Sequence, residues 1–394
     1  MEYLVLTSIF KTQKAPFAYL DLQILDENIA TIAKRAKGKN IRIATKSIRC
    51  RYVLSYLLEN LPHSFGLMAF TIDEALWLSD LGFTNILIGY PTYEIEAITK
   101  VFSNPKHSES ICFMVDKLEH VELLHEIASK NQTKANLCID IDMSSNFPGI
   151  YFGVYRSSLK NEKDLKSLLR SSTSFTAIKW KGLMGYEAQI AGVGDSVPGA
   201  TLMNKISALL KRKSIKEVAL RRAACLKVLS ENGIHLDFVN GGGTGSIEST
   251  IEEKGVTEIT VGSGFYQSHL FDNYSNFKHK PALFYALRIV RKPTDTIFTA
   301  LGGGYIASGA TDPNKQPQPY LPKGMKLIKN EGAGEVQTPF VYHGKQPLKL
   351  GDLVFFRHAK AGELCERFNE IILVRDNKIE QIVPTYRGEQ KCFL

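Results

Sequence analysis

Eight short, nearly unbroken apolar runs punctuate this chain up to residue 264, each parted from the next by a stretch of helical periodicity. They are IRIAT at 41–45, FGLMA at 65–69, NILIGY at 85–90, ICFMV at 111–115, NLCIDID at 136–142, KWKGLMGYE at 179–187, LDFVNGG at 236–242 and EITVGSG at 258–264. A strand that is apolar on both faces needs cover on both faces, which a parallel sheet flanked by helices supplies. Eight such units close a (β/α)8 barrel, so the pattern predicts a TIM-type barrel in an α/β chain; an open doubly wound sheet is the alternative. The spacers carry helix signals of their own. Thr71 with Glu74 spells a capping box, and Gly82 stands where that helix would stop. Ahead of the first run, LQILDENIATIAKRAKG sets Ile24, Leu25, Asn28, Ile29, Ile32, Ala33 and Ala36 at helical spacing before Gly38.

The character changes near residue 280. ALFYALRIV, DTIFTALG, GDLVFFRHA, NEIILVRD and IEQIVPTY are β-type runs separated by Gly, Pro, Asn and Asp, without a helical pattern between them. At 394 residues the chain also exceeds one ordinary core. The expected division is a barrel over 22–280 and a mostly β domain made of 1–21 and 281–394. FAYLDL at 17–22 joins the β domain because it precedes the first barrel strand and has nowhere to pair within the barrel. The Pro-rich stretch DPNKQPQPYLPKG at 312–324 reads as a loop between β-type sequence, and LGGGYIASG at 301–309 as a turn in the β domain or a loop closing over substrate.

Composition narrows the function. With 44% hydrophobic and 23% charged residues the chain is of ordinary globular type. Its net charge of +9 (49 basic against 40 acidic residues) comes from scattered positions with no basic arm, which argues against nucleic acid as a partner. The six cysteines show neither C-x-x-C pairs nor regular spacing, so a disulfide framework is not expected and a reducing cytoplasm is. The opening MEYLVLTSIFKTQK has an acidic second residue and no small-residue cleavage site, unlike a signal peptide. No apolar stretch reaches membrane-spanning length, so no membrane partner is expected.

Barrel enzymes keep their reactive groups at the C-terminal ends of the strands, with phosphate sites recurring after strands seven and eight. NGGGTGS at 240–246 follows the seventh run and GSGFY at 262–266 the eighth. Glycines let backbone N–H groups approach an anion, and the hydroxyls of Thr244, Ser246 and Ser263 can add donors. Either loop alone reads as a turn; the pair at these two ends reads as a phosphate cradle. Lys46 follows the first strand directly, on the same rim. A lysine facing a phosphate site inside a barrel suits a Schiff base to a carbonyl cofactor, its amine acidified by burial and by cations such as Arg42 or Arg49.

The order of FAYLDLQILDENI, a lysine just past the first barrel strand, a late Gly-rich loop and a terminal β domain resembles the fold type III pyridoxal-phosphate (PLP) enzymes, the alanine racemase fold. Within that group the chain is similar to amino acid deaminase/aldolase proteins, relatives of D-threonine aldolase and D-serine dehydratase. GLMGYEAQIAGVGD, GGGYIASG, EGAGEVQTP, FRHAKAGELCERFNE and the closing PTYRGE carry the likeness along nearly the whole chain. The resemblance implies PLP bound as a Schiff base to Lys46, its phosphate held by Gly243, Thr244, Gly245, Gly262 and Ser263. It also implies that Tyr186, Arg156 and Tyr266 lie around the cofactor, with Tyr186 against the ring and Arg156 setting charge at it. For these two the plain readings are a packed aromatic and a surface ion pair.

The implied reaction is lyase chemistry on D-amino acids, with carbanion formation at the α-carbon followed by aldol cleavage or loss of water. A racemase is the runner-up, for which Tyr305, Tyr320 or Tyr386 would supply a second base. A non-catalytic PLP carrier is disfavoured by the extension beyond residue 281, and a PLP-free barrel enzyme of phosphorylated metabolites is a further class. Related aldolases and dehydratases bind a divalent ion such as zinc or manganese through a histidine and a ligand two residues on. His358 is the candidate here, but Lys360 occupies the second position, so Cys365 or Glu363 would complete the site; otherwise Lys360 itself provides the positive charge. The resemblance further implies a homodimer acting on a small amino acid substrate.

Overall fold

The computed structural model describes residues 1–310 and 312–394. They divide into two compact units. One comprises Met1–Ile32, Ser47–Tyr56 and Ser263–Cys392, and the other Ala33–Lys46, Leu57–Gly262 and Phe393–Leu394.

Strand β1 (Phe17–Asp21) belongs to the first unit. The second unit is a closed parallel barrel. Its strands are β2 (Asn40–Ala44), β3 (Ser64–Ala69), β4 (Ile86–Ile88), β5 (Ile111–Val115) and β6 (Ala135–Asp140). An antiparallel hairpin, β7 (Ser145–Phe147) with β8 (Ile150–Phe152), intervenes before β9 (Ile178–Gly185), β10 (Phe238–Gly241) and β11 (Glu258–Val261), which pairs back onto β2. These eight are the eight apolar runs of the sequence. The strands stop short of the runs at Ile88, Asp140, Gly185, Gly241 and Val261, and the residues left over are those that leave the barrel at its C-terminal rim. Thr71 accepts the Glu74 N–H at 3.2 Å while Glu74 accepts the Phe70 N–H at 2.7 Å, a capping box completed one residue early. Gly82 ends the helix at φ +95°. A 31-residue helix, Thr201–Glu231, leads into β10.

The barrel interior is layered. Leu87, Cys112, Met114, Cys138, Met184 and Phe238 pack together. Beside them lies a fully buried ion pair, in which the Arg42 guanidinium donates to both Glu258 oxygens at 2.7 and 3.0 Å and to the Leu67 and Asn85 carbonyls. It also stacks over Phe238 at 5.0 Å. Arg42, one of the two cations named beside Lys46, is thus paired with Glu258 inside the barrel. Arg49, the other one named, pairs with Glu366 in the first unit.

In the first unit, β12 (Leu283–Arg291), β13 (Ile297–Leu301), β14 (Gln318–Leu321), β15 (Met325–Leu327), β16 (Gln337–Tyr342), β17 (Leu353–Arg357), β18 (Glu370–Arg375) and β19 (Lys378–Pro384) join β1 in one sheet. β1 runs antiparallel to β12 and parallel to β18, with Tyr19 opposite Phe284 and Ile372. Its core gathers Leu6, Phe10, Phe17, Tyr19, Phe284 and Phe355. Leu6 comes from a helix, Tyr3–Ile9, where the sequence reads only as a short apolar run. The Pro-rich stretch differs from expectation as well. Gln318–Leu321 forms the edge strand β14 on β17, a position that tolerates Pro319 because an edge leaves one row of N–H groups unused. Asn28, polar on the apolar face of its helix, is explained by bonds to the Phe265 and Lys280 carbonyls at 2.9 and 2.7 Å.

Candidate active site

The site starts at the end of β2. Thr45, whose hydroxyl donates to the Met68 carbonyl at 2.9 Å, pins the tight turn Thr45–Ser47 that carries Lys46 out of the barrel wall. The exposed Lys46 ammonium donates to the Tyr90 hydroxyl at 3.2 Å. Tyr90 stands just past β4 and was not singled out in the sequence, where it reads as the last residue of an apolar run. Burial pushes its phenol up, yet Lys46 and then Arg156 more than offset this, leaving it below the ordinary tyrosine value.

Arg156 lies beyond the β7–β8 hairpin, its guanidinium carbon 5.9 Å from the Tyr90 ring centre and 5.5 Å from that of Tyr186. Two aromatic faces hold it, and it makes no ion pair among the described residues, so the salt-bridge reading fails. Tyr186 directly follows β9. Burial raises its phenol to about 12, with Arg156 opposing and Glu187 adding to the shift. These three residues and Asp116, Asp140 and Asp142 line a cavity of about 230 Å³. Asp116 is occupied by His120 at 3.1 Å and the Ser158 N–H at 2.7 Å, and Asp142 by Ser144 at 2.6 Å. The Asp140 carboxyl has no hydrogen-bond partner among the described residues, although its backbone carbonyl accepts the Ser157 hydroxyl at 2.7 Å. Desolvation, with Asp116 next, raises its carboxyl to about 8 against the pull of Arg156, so it carries a proton at neutral pH.

Next to Tyr186, the loop after β10 turns at Gly242 (φ +78°), a conformation that costs glycine nothing. Gly243 fits closely, since a Cβ there would lie 3.1 Å from Ala191 and 3.2 Å from the Tyr186 ring. Ser246 accepts the Gly243 N–H at 3.1 Å, and Arg35 binds the Thr244 carbonyl at 2.8 Å. Thr244 and Gly245 are buried, and the Gly245 N–H has no acceptor among the described residues. A buried N–H without an acceptor is the mark of a site built for an anion.

The second unit thus brings Lys46, Arg156, Tyr186, Gly243, Thr244, Gly245 and Gly262 to the C-terminal ends of the barrel strands. Ser263 and Tyr266 fall in the first unit, where Ser263 shares a hydrogen bond of 3.0 Å with Ser47 and the buried Tyr266 donates to the Ile48 carbonyl at 3.3 Å. His358 is there too, buried, with Nδ1 3.1 Å from the Leu283 carbonyl, Nε2 without a partner among the described residues and its basicity lowered by burial to about 3. Cys365 is buried in a short helix and its thiol is pushed far up by desolvation. Among the described residues no group of three or more His, Cys, Asp or Glu side chains stands together to hold a metal, so the ion expected at His358 and Cys365 has no ligand set. Lys360 bonds to Ser308, oxygen and hydroxyl, at 3.0 and 2.9 Å, tying down the segment after β13. Of the tyrosines named for a second base, Tyr386 is fully buried, Tyr320 packs on Phe284, and Tyr305 meets Tyr285 edge-on.

Comparison with known proteins accords with this geometry. Residues 20–269 match the family model described as alanine racemase, N-terminal domain. A 3-hydroxy-D-aspartate aldolase from Paracoccus denitrificans (strain Pd 1222) is 23% identical over 235 residues, 59% of this chain; the chain spans 55% of that relative's length. The fold is similar to that of D-threonine aldolase from Filomicrobium marinum, with a TM-score of 0.79 at 17% identity over 95% of each chain. It is also similar to D-threo-3-hydroxyaspartate dehydratase from Delftia sp. HT23, with a TM-score of 0.75 at 15% identity over 98% of this chain and 99% of that one.

Proposed function

The chain belongs to the alanine racemase N-terminal-domain family, within the fold type III PLP enzymes, and on that premise we propose that it is a PLP-dependent lyase of D-β-hydroxy amino acids with Lys46 as the cofactor's attachment point. The observation that carries the reading is the placement of the Lys46 amine and an anion-ready glycine loop on one barrel rim, with the Tyr186 ring close both to that loop and to Arg156. The names of the aldolase and dehydratase relatives support lyase chemistry over racemisation.

The residues present fit the group. Gly243, Thr244 and Gly245 offer a phosphate cradle, Tyr186 a flat wall, and Lys46 a primary amine that Tyr90 steers. When bound, PLP supplies an electron sink for charge developing at the α-carbon of an amino acid. The rest is done by the chain. Arg156, held by two rings and without an ion pair among the described residues, offers a cation to an anionic oxygen at the cavity mouth. Asp140 holds a proton at neutral pH beside it and can give or take one there. The metal is no part of the reading, because the donors at His358 do not make a site. A homodimer and a cytoplasmic setting do belong to it; the six cysteines, none in a disulfide among the described residues and five of them buried, suit a reducing compartment.

The test has two arms. Absorbance of the purified protein and mapping of the peptide labelled after borohydride reduction should place the cofactor on Lys46. A panel that follows glycine, ammonia and enantiomer exchange should then show D-threonine or D-serine consumed faster than alanine is racemised. Label on another lysine, or dominant alanine racemisation, overturns the reading.

A further inference from the structure

We propose that Glu187 is a positioning residue that builds the phosphate cradle of the Gly242–Ser246 loop. The inference rests on the PLP reading and deepens it. Glu187 follows Tyr186 just past β9 and is 1% exposed. Every group bonded to its carboxylate is a donor. It accepts the Gly242 N–H at 3.2 Å, the Ser246 hydroxyl at 3.1 Å and the Thr250 hydroxyl, and Arg222 supplies the countercharge at 3.2 Å. Arg222, equally buried, is itself tied to the Gly185 carbonyl at 2.9 Å and to Glu253.

Those contacts decide which amides of the loop remain available. Gly242 turns its N–H back onto Glu187 and so enters its left-handed turn. Ser246, with its hydroxyl proton engaged by Glu187, presents its lone pair to the Gly243 N–H. Arg35 draws the Thr244 carbonyl outward, and the Gly245 N–H is left buried without an acceptor among the described residues. The carboxylate therefore does not touch an anion. It fixes the loop so that the Gly245 N–H is presented before any ligand arrives, the condition under which binding loses least to ordering.

A buried carboxylate with four donors also supports the fold, so the experiment separates the two roles by ligand. Affinities of PLP and of pyridoxal, which lacks the phosphate, are measured for apoprotein of the full chain, wild type and Glu187→Gln, alongside thermal midpoints. The wild type is expected to prefer PLP. Glu187→Gln should lose at least tenfold in PLP affinity with little change for pyridoxal, and competition by inorganic phosphate should weaken in parallel. Because Glu187→Gln alone risks misfolding, Ser246→Ala, which removes one arm of the clamp, is measured too and should lose part of the same preference. Equal losses for both ligands, or an undiminished preference in both variants, overturn the positioning role. A wild type that binds PLP no tighter than pyridoxal overturns the cradle itself, and the PLP reading with it.

Discussion

Lys46 and Tyr90 meet nitrogen to oxygen at 3.2 Å, joining the exit of β2 to that of β4 across the barrel mouth. An aligned amine is what a covalent cofactor needs, and a phenol is suited to the task because it accepts the hydrogen bond without forming a full ion pair. Tyr90 is 37% exposed, so solvent screens the contact and its contribution to stability is about 1 kcal/mol or less.

Lys46→Ala is expected to lower turnover on the order of a thousandfold or more, as loss of a covalent catalytic group does. Its thermal midpoint should stay near wild type, since truncating an exposed side chain opens no core cavity. Activity assays with differential scanning fluorimetry check both; a collapsed midpoint would assign Lys46 to folding instead.

Tyr90 should be the phenol that ionises below the ordinary range. Ultraviolet titration of the protein before cofactor is added should lose its lowest-pH tyrosinate step in Tyr90→Phe. In Lys46→Ala that step should move upward, because burial then meets only Arg156 in opposition.

Asp140 makes stability depend on pH in a calculable direction. Its folded value, about 8, lies above the unfolded value of about 3.9, so the folded state binds more protons between those limits. Stability is therefore lost as pH rises from about 4 to 8. Asp140→Asn removes the titration, and the difference between variant and wild type in urea midpoints should grow in the variant's favour across that window. A flat difference would show that the carboxyl titrates normally.

Glu258→Ala should be among the most damaging changes in the barrel. It strands the Arg42 guanidinium where both partners are wholly buried, and breaking such a pair costs about 3–5 kcal/mol. Urea unfolding would register this as a lower midpoint, and a loss under about 1 kcal/mol would contradict it.

Much of the architecture was legible in the chain. The eight strands, the helix stop at Gly82 and the glycine loop after β10 are written by neighbours within a few residues, through periodicity and the freedom of glycine, and Lys46 could be picked out because it follows a strand directly. Tyr90, Asp140 and Glu187 could not. Each is a polar residue at or near the end of an apolar run, and locally they look alike. What distinguishes them is register: strand pairing sets Glu187 against Gly242 and Ser246, 55 and 59 residues away, and Arg42 against Glu258, 216 residues away. A carboxylate's role depends on which donors reach it and how far water is excluded. Both are properties of the closed barrel, so only the tertiary structure decided them.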